Sequence, residues 1–214
     1  MNKVTHMPIV SILLPVYNAG AYLSEAVESI LSQTYTSFEL LILDDGSTDG
    51  CTDFLDHIMD ERIHLIKRNH NYIATLNYGL TIARGKYIAR MDADDKMFPT
   101  RLEEQVAVLD ADINIKICAS YMQLMGGTEI YNSGIQGIIH PFVHLLLLGN
   151  FVAHPTVMLR TDYIRTHQLK YSPEYIYAED YQLWAEIACL GGALYVIPQP
   201  LIEYRISKSQ VSQI

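Results

Sequence analysis

An α/β fold built on a parallel sheet is what this sequence predicts, and three observations predict it. Short β-rich runs alternate with helical patterns over the first ~90 residues, the order that covers a parallel sheet with helices on both faces. Half of the 214 residues are hydrophobic, enough to bury one sizeable core. Every loop of unusual composition in that first half directly follows a strand: PVYNAG, DDGSTDG, NHN and DADD. In such sheets ligands bind beyond the carboxyl ends of the strands, so these loops are expected to converge on one rim.

The elements follow in order. IVSILLP (residues 9–15) is a β-rich run, and residues 21–33 place Leu23, Val27, Ile30 and Leu31 on the stripe of an amphipathic helix. FELLILDD (38–45) is a second strand, CTDFLDHIM (51–59) a short helix and RIHLI (62–66) a third strand. IATLNYGLTIARG (73–85) reads as a helix closed by Gly85, and KYIARM (86–91) as the fourth strand. Further on, a helix starts from Pro99, residues 156–159 form an apolar strand, and Glu179 and Asp180 open a helix with Leu183, Trp184, Ile187 and Ala188 on its apolar face. Trp184 is accordingly expected in the core.

Composition removes several function classes. A net charge of -9 without a Lys/Arg run argues against nucleic acid as a partner, because that binding relies on clustered basic side chains. Cys51, Cys118 and Cys189 are far apart and lack metal-ligand spacing, so they read as core thiols of a protein in a reducing cytosol. The opening residues lack the apolar core and cleavage site of a signal peptide. The longest strongly apolar run, FVHLLLLG from Phe142, is far shorter than the ~20 residues that cross a bilayer. A cytoplasmic chain is expected, either free or in peripheral contact with the inner face of a membrane.

LLILDDGSTDG (40–50) admits three readings. Asp45, Ser47, Asp49, Gly50 and Asp56 have the spacing of a calcium loop. That site needs a preceding helix, whereas residues 38–43 read as a buried strand. As a plain turn, Ser47 to Asp49 would cap the next helix. As the lip of a ligand pocket, Asp44 and Asp45 would meet a base N–H or a ribose hydroxyl that relieves their repulsion. In YIARMDADD (87–95), Asp92, Asp94 and Asp95 crowd three carboxylates after an apolar strand. A divalent cation relieves that repulsion, and oxygen-only ligands with open positions suit Mg2+ or Mn2+ bridging to a diphosphate. The alternative is a solvated acidic turn before the next helix.

SILLPVYNAGAYLSEAVESILSQTY, ELLILDDGSTDG, LNYGLTIARGKYIARMDADD and AEDYQLW, in this order and spacing, resemble the family 2 glycosyltransferases over almost the whole chain. The second half is similar to bacterial enzymes that build lipooligosaccharide and capsule sugars, including β-1,3-N-acetylglucosaminyltransferases. The resemblance implies a GT-A fold: a Rossmann-like, mostly parallel central sheet flanked by helices in a single domain, residues 1–214. Its nucleotide-binding part would span about residues 8–95 and its acceptor-side part about 96–214.

The resemblance also assigns residues. Pro15, Tyr17 and Asn18 match the loop that holds uridine, with Tyr17 able to stack on the base. Asp45 matches the acceptor of the uracil N–H, with Asp44 beside it. Asp92 matches the residue turned toward ribose and diphosphate, and Asp94 the direct ligand of Mn2+ or Mg2+; Asp95 has no assigned role. Asp180, paired with Glu179, matches the general base. The implied activity is inverting transfer of a hexose or N-acetylhexosamine from a UDP-sugar, UDP-N-acetylglucosamine ahead of UDP-galactose and UDP-glucose, to a glycan or lipid-linked glycan hydroxyl. Such a displacement needs a carboxylate to take the acceptor proton and a metal to stabilise the departing diphosphate, so one catalytic carboxylate near the sugar suffices.

Two positions depart from the family pattern. Ser207 stands where a histidine often follows Tyr-Arg, and Asn71 where a glycine is common, an Asn being tolerant of a left-handed turn. His154 reads either as a satisfied structural residue or as a group facing donor or acceptor. Two other classes remain open: a catalytically silent UDP-sugar-binding protein, which would bind UDP without turnover, and a nucleotidyltransferase. The latter generally has a basic, Gly-rich first loop, unlike PVYNAG.

Overall fold

The computed structural model describes residues 7–206. The chain runs through β1 (Val10–Val16), α1 (Tyr22–Leu31), β2 (Phe38–Asp44), a 3-10 turn at Asp53–His57, β3 (Ile63–Lys67), α2 (Tyr72–Ile82) and β4 (Tyr87–Arg90). It continues with β5 (Lys96–Met97), α3 (Arg101–Ala111), β6 (Ile115–Leu124), β7 (Ile130–Tyr131), β8 (Gly137–Ile139) and α4 (Val143–Leu146). A 3-10 turn at His154–Thr156, β9 (Met158–Arg160), α5 (Thr161–Thr166), α6 (Glu179–Cys189) and β10 (Ala193–Tyr204) complete it.

The central sheet has the order β3-β2-β1-β4-β9-β6-β10-β5, with β7 paired to β6 and β8 to β10. The expected βαβ alternation holds: β3, β2, β1 and β4 are parallel, with Leu14 beside Ile42 and Leu13 beside Arg90. Short β9 runs antiparallel between β4 and β6, which turns β6 and its parallel neighbour β10 back into the direction of β4. Six of the eight strands on this path therefore share one direction, and their carboxyl ends form one rim.

Both faces of the sheet are covered, as the continuous burial of β1 and β2 requires. Alternate side chains of one strand enter opposite layers. Ile12 and Leu14 pack with Leu23 and Val27 of α1 and Leu102 and Val106 of α3. Leu13 and Leu43 pack with Leu76 and Leu80 of α2 and Leu183 and Trp184 of α6. Trp184 is fully buried, as expected.

Three local expectations are corrected. The helix does not close at Gly85; α2 ends at Ile82 and Ala83 caps it through its N–H to the Gly79 carbonyl. Gly85 instead lets two backbones meet: a Cβ there would lie 2.5 Å from the Ser11 nitrogen. Asn71 is not left-handed but extended, with φ -168°, and caps α2 by accepting the Ala74 N–H. Cys51 and Cys118 are buried thiols, whereas Cys189, the last residue of α6, is exposed.

Candidate active site

Two loops are lashed together at the β1/β2 end of the rim. Asn18, at φ 50°, donates its backbone N–H to Ser47 Oγ (3.1 Å) and accepts the Thr48 N–H at Oδ1 (2.8 Å). Asp49 accepts the N–H groups of Gly20 (2.9 Å) and Cys51 (3.0 Å). The hydroxyl and carboxylate that the calcium spacing would need are thus committed to backbone, and no group of three His, Cys, Asp or Glu side chains gathers as a metal site among the described residues. Pro15 is buried within β1. Asp44 folds back to accept the Ser47 N–H at 2.8 Å, so its first partner is its own turn.

Asp45 is buried at the lip itself. Its Oδ1 accepts the Asn71 N–H (2.9 Å) and the Thr75 hydroxyl (2.6 Å). His70 Nδ1 lies 2.9 Å from Oδ2 and 3.1 Å from the Asp45 carbonyl, and the alignment favours the carbonyl. Oδ2 is left without a hydrogen bond, an acceptor available to a ligand N–H. Tyr17 is half exposed, with one ring face stacked on His70 at a centroid separation of 4.1 Å.

Arg90 closes β4 at the middle of the rim and is buried. Its Nη2 lies 2.5 Å from Asp92 Oδ1 and donates to the Tyr72 hydroxyl at 2.9 Å. Nε and Nη1 have no partner among the described residues. The acidic turn that follows is gripped from the far end of the chain: Arg205 donates its backbone N–H to Asp95 Oδ1 (2.9 Å), its Nε to the Asp94 carbonyl (2.8 Å) and its Nη2 to Glu25 (3.0 Å). Burial, then the charge of Asp92, pushes the Asp95 carboxyl up to about 9. Asp95 thus joins the turn to the end of β10. The Asp94 carboxyl is also raised, by burial and by Asp92. Asp92 and Asp94 repel one another even with Arg90 and Arg205 nearby, and carboxylate oxygens of this kind fit a hard divalent ion that keeps open positions. Ser207 lies outside the described residues.

Glu179 and Asp180 begin α6 after its N-cap Ala178, which follows Tyr177, a non-glycine residue held at φ 68°. Asp180 Oδ1 accepts the Tyr181 N–H (2.6 Å) and Oδ2 accepts Asn150 Nδ2 (3.0 Å). Burial raises both carboxyls above their ordinary values, and the charge of Asp180 adds to the effect at Glu179. His154 is buried, with Nε2 at 2.9 Å from the Tyr171 hydroxyl. Burial and then the charge of Arg90 hold its imidazole well below the ordinary value, hence neutral. Both sequence readings of His154 meet here: it is internally partnered and it also lines the cleft.

One cleft of ≈ 940 Å³ joins these groups: Tyr17, Asp45, Asp92, Glu179 and Asp180 all line it. Pro15, Asn18, Asp44 and Asp94 are not among the residues that line it. His70, Tyr72 and Arg90 line it without having been singled out in the sequence. The one signal for Arg90 was a cation ending an apolar strand two residues before the acidic turn.

The family model "Glycosyl transferase family 2" matches residues 11–166. An uncharacterized glycosyltransferase of Haemophilus influenzae is 36% identical over 97% of this chain and 68% of its own length. The Escherichia coli enzyme WfaP, a UDP-Glc:alpha-D-GlcNAc-diphosphoundecaprenol beta-1,3-glucosyltransferase, is 34% identical over 86% of this chain and 72% of its own. Among solved structures, S. aureus TarS 1-349 in complex with UDP-GlcNAc superposes with a TM-score of 0.80 at 17% identity, over 96% of this chain and 61% of that one. The mannosyltransferase PcManGT of Pyrobaculum calidifontis, solved with GDP-Man and Mn2+, gives 0.74 at 18% identity, over 96% and 59%. The likeness to these structures is one of fold, and the chain spans about three fifths of each. A mostly parallel sheet with the acidic turn on its carboxyl rim, together with the family match over most of the chain, makes this protein a member of the family 2 glycosyltransferases with a GT-A fold.

Proposed function

We propose that the cleft transfers a hexose or N-acetylhexosamine from a UDP-sugar to a hydroxyl of a glycan or lipid-linked glycan, with inversion and with Mn2+ or Mg2+ bound. The observation that carries this reading is that Tyr17, Asp45, Asp92 and Asp180, from four segments remote in sequence, line one cleft. Tyr17 offers a ring face to the base, and the unpartnered Oδ2 of Asp45 accepts its N–H. Asp92 faces the ribose and diphosphate while Arg90 fixes its carboxylate. Asp94 holds the metal, which when bound neutralises charge on the departing diphosphate. Asp180 accepts the proton of the attacking hydroxyl, with Asn150 holding its other oxygen in place. Glu179 stays nearby as a second carboxyl and keeps the entrance negative. Residues 8–95 then form the nucleotide part and residues 96–214 the acceptor part.

The compounds named with the neighbours, UDP-GlcNAc for TarS and GDP-Man with Mn2+ for PcManGT, support a nucleotide-sugar donor, and the name of WfaP supports a lipid-linked acceptor. No helix among the described residues is long and apolar enough to cross a membrane. On this reading the enzyme works at the cytoplasmic side, with peripheral contact to the inner face of a membrane when the acceptor is lipid-linked. UDP release from a panel of UDP-sugars with Mn2+ or Mg2+, beside calorimetric UDP binding, tests the reading. Asp94→Ala is expected to lose metal-dependent binding, and Asp180→Asn to bind normally but lose about 10²–10⁴-fold in turnover. Absence of UDP binding by the parent overturns it.

A further inference from the structure

The position of each strand in the sheet fixes the order of groups along the cleft. From one end to the other these are Asp45 after β2, Tyr17 after β1, Arg90 and Asp92 at β4, and His154 before antiparallel β9. Tyr121 and Met122 near the end of β6, and Tyr204 at the end of β10, come last. At ~4.8 Å per strand, β6 stands ~14 Å from β1. That is beyond the carboxylates of the chemistry and on the opposite side from the base subsite. The β6 end of the cleft also takes in Tyr131, Asn132 and Ser133, which follow from the β6–β7 pairing, and Phe151 beside Asn150.

This wall has a distinct chemistry. It offers aromatic faces together with hydroxyls and two amides, of which Asn150 donates to Asp180, and no Lys, Arg, His, Asp or Glu among the described residues lines it. The cleft's charged groups are Asp45, Arg90, Asp92, Glu179 and Asp180, and Arg90, paired with Asp92, sits at the end of β4 rather than on this wall. An anionic group seated against the β6 wall would lose water without gaining a cation, and would face the carboxylates of Glu179 and Asp180. An ammonium would be drawn to those same carboxylates, so the wall's surroundings reject an anion rather than every charge. A pyranose has the opposite needs: an apolar C–H face to lay on an aromatic ring and hydroxyls for an amide and serines.

Resting on the donor reading above, we infer that Tyr131, Asn132 and Ser133 form the subsite for the acceptor, and that the unit it takes is a sugar ring without an anionic group. Tyr131 supplies the face against which the ring lies, Asn132 and Ser133 take its hydroxyls, and the attacking hydroxyl points toward Asp180. Tyr131 is about half exposed and Asn132 is exposed, so truncating either removes contact without opening the core.

Methyl β-glycosides of glucose, galactose and N-acetylglucosamine are compared with the glucuronide and the glucose 6-phosphate glycoside. The full chain is used, with UDP present for saturation-transfer NMR and with the active UDP-sugar for transfer. At least one neutral glycoside is expected to bind and accept, and the two anionic ones to fail. Tyr131→Ala and Asn132→Ala should each raise the acceptor KM about tenfold, a loss of about 1.4 kcal/mol. UDP affinity and acceptor-free UDP release should remain unchanged, and Tyr131→Phe should restore the KM. Preference for an anionic glycoside, failure of every neutral glycoside to bind, or an unchanged KM in both truncations overturns the inference while leaving UDP binding intact. Loss of the donor reading itself is recognised separately, by a parent that binds no UDP.

Discussion

Asp180 carries opposite demands from folding and from chemistry. Burial raises its carboxyl above the ordinary value of 3.8, so the folded chain holds that proton more tightly than the unfolded chain does. Stability contributed by this group is therefore greatest in acid and declines as pH rises through the interval between the two values, remaining lower above it. Asp180→Asn is expected to leave the melting temperature at pH 7 unchanged or raised while turnover collapses, as calorimetry beside the UDP-release assay would show. A base must be ionised to act, so the acid limb of the turnover profile should fall at a pH above that of an ordinary aspartate. A limb at or below 3.8 would contradict the environment described for this side chain. At this scale Asp45 and Asp92 were legible as cleft-lining residues because carboxylates clustered after apolar strands are costly unless partnered. Asp44 and Asp94, singled out on the same ground, do not line it, and Asp180 came only through the family resemblance. Arg90 was harder to find, because one arginine at a strand end is unremarkable until the fold buries its guanidinium beside Asp92.

At the scale of elements, the close approach of the α2–β4 turn to β1 is built on Ser11, Glu39, Arg84 and Gly85. Ser11 Oγ donates to Glu39 Oε1 at 2.5 Å and accepts the Gly85 N–H at 2.8 Å, while Arg84 reaches Glu39 through its backbone N–H (2.7 Å) and Nε (2.8 Å). Gly85→Ala drives a Cβ into the β1 backbone and should destabilise the fold by roughly 1–3 kcal/mol in chemical denaturation. For Glu39, burial pushes the carboxyl up, but Ser11 and Arg84 together outweigh it and the net value lies below the ordinary 4.5. Its contribution is thus present at neutral pH and lost as pH falls below that value. Glu39→Gln should cost roughly 1.5–3 kcal/mol at pH 7 and flatten the acid limb of the stability curve.

The first four strands and three helical segments could be read from periodicity because each is long enough to repeat its pattern. Gly85 was misread since a glycine after a helix and a glycine under a neighbouring backbone look alike in sequence. The pairing of β9 was not legible: three wholly buried residues carry no alternation, and their direction depends on β4 and β6, remote in the chain.

For the whole molecule, the sheet order is what converts separate motifs into one machine. Placing β9 antiparallel keeps β6 and β10 pointing toward the same rim as β4, so the β6 wall and Asp92 of the acidic turn share a cleft. Arg205 adds a long-range clasp, and Arg205→Ala is expected to weaken metal-dependent UDP binding several-fold while uridine binding holds, as paired titrations would reveal. The linear order along the rim has a further effect on how such a protein can diversify. The groups at the β1/β2 end come from the early chain, and those on the β6 wall from a hairpin and strand far downstream. A change in one end need not disturb the other. A lineage can therefore exchange the sugar it builds upon by editing a few exposed residues around Tyr131, while keeping the same activated currency at the opposite end.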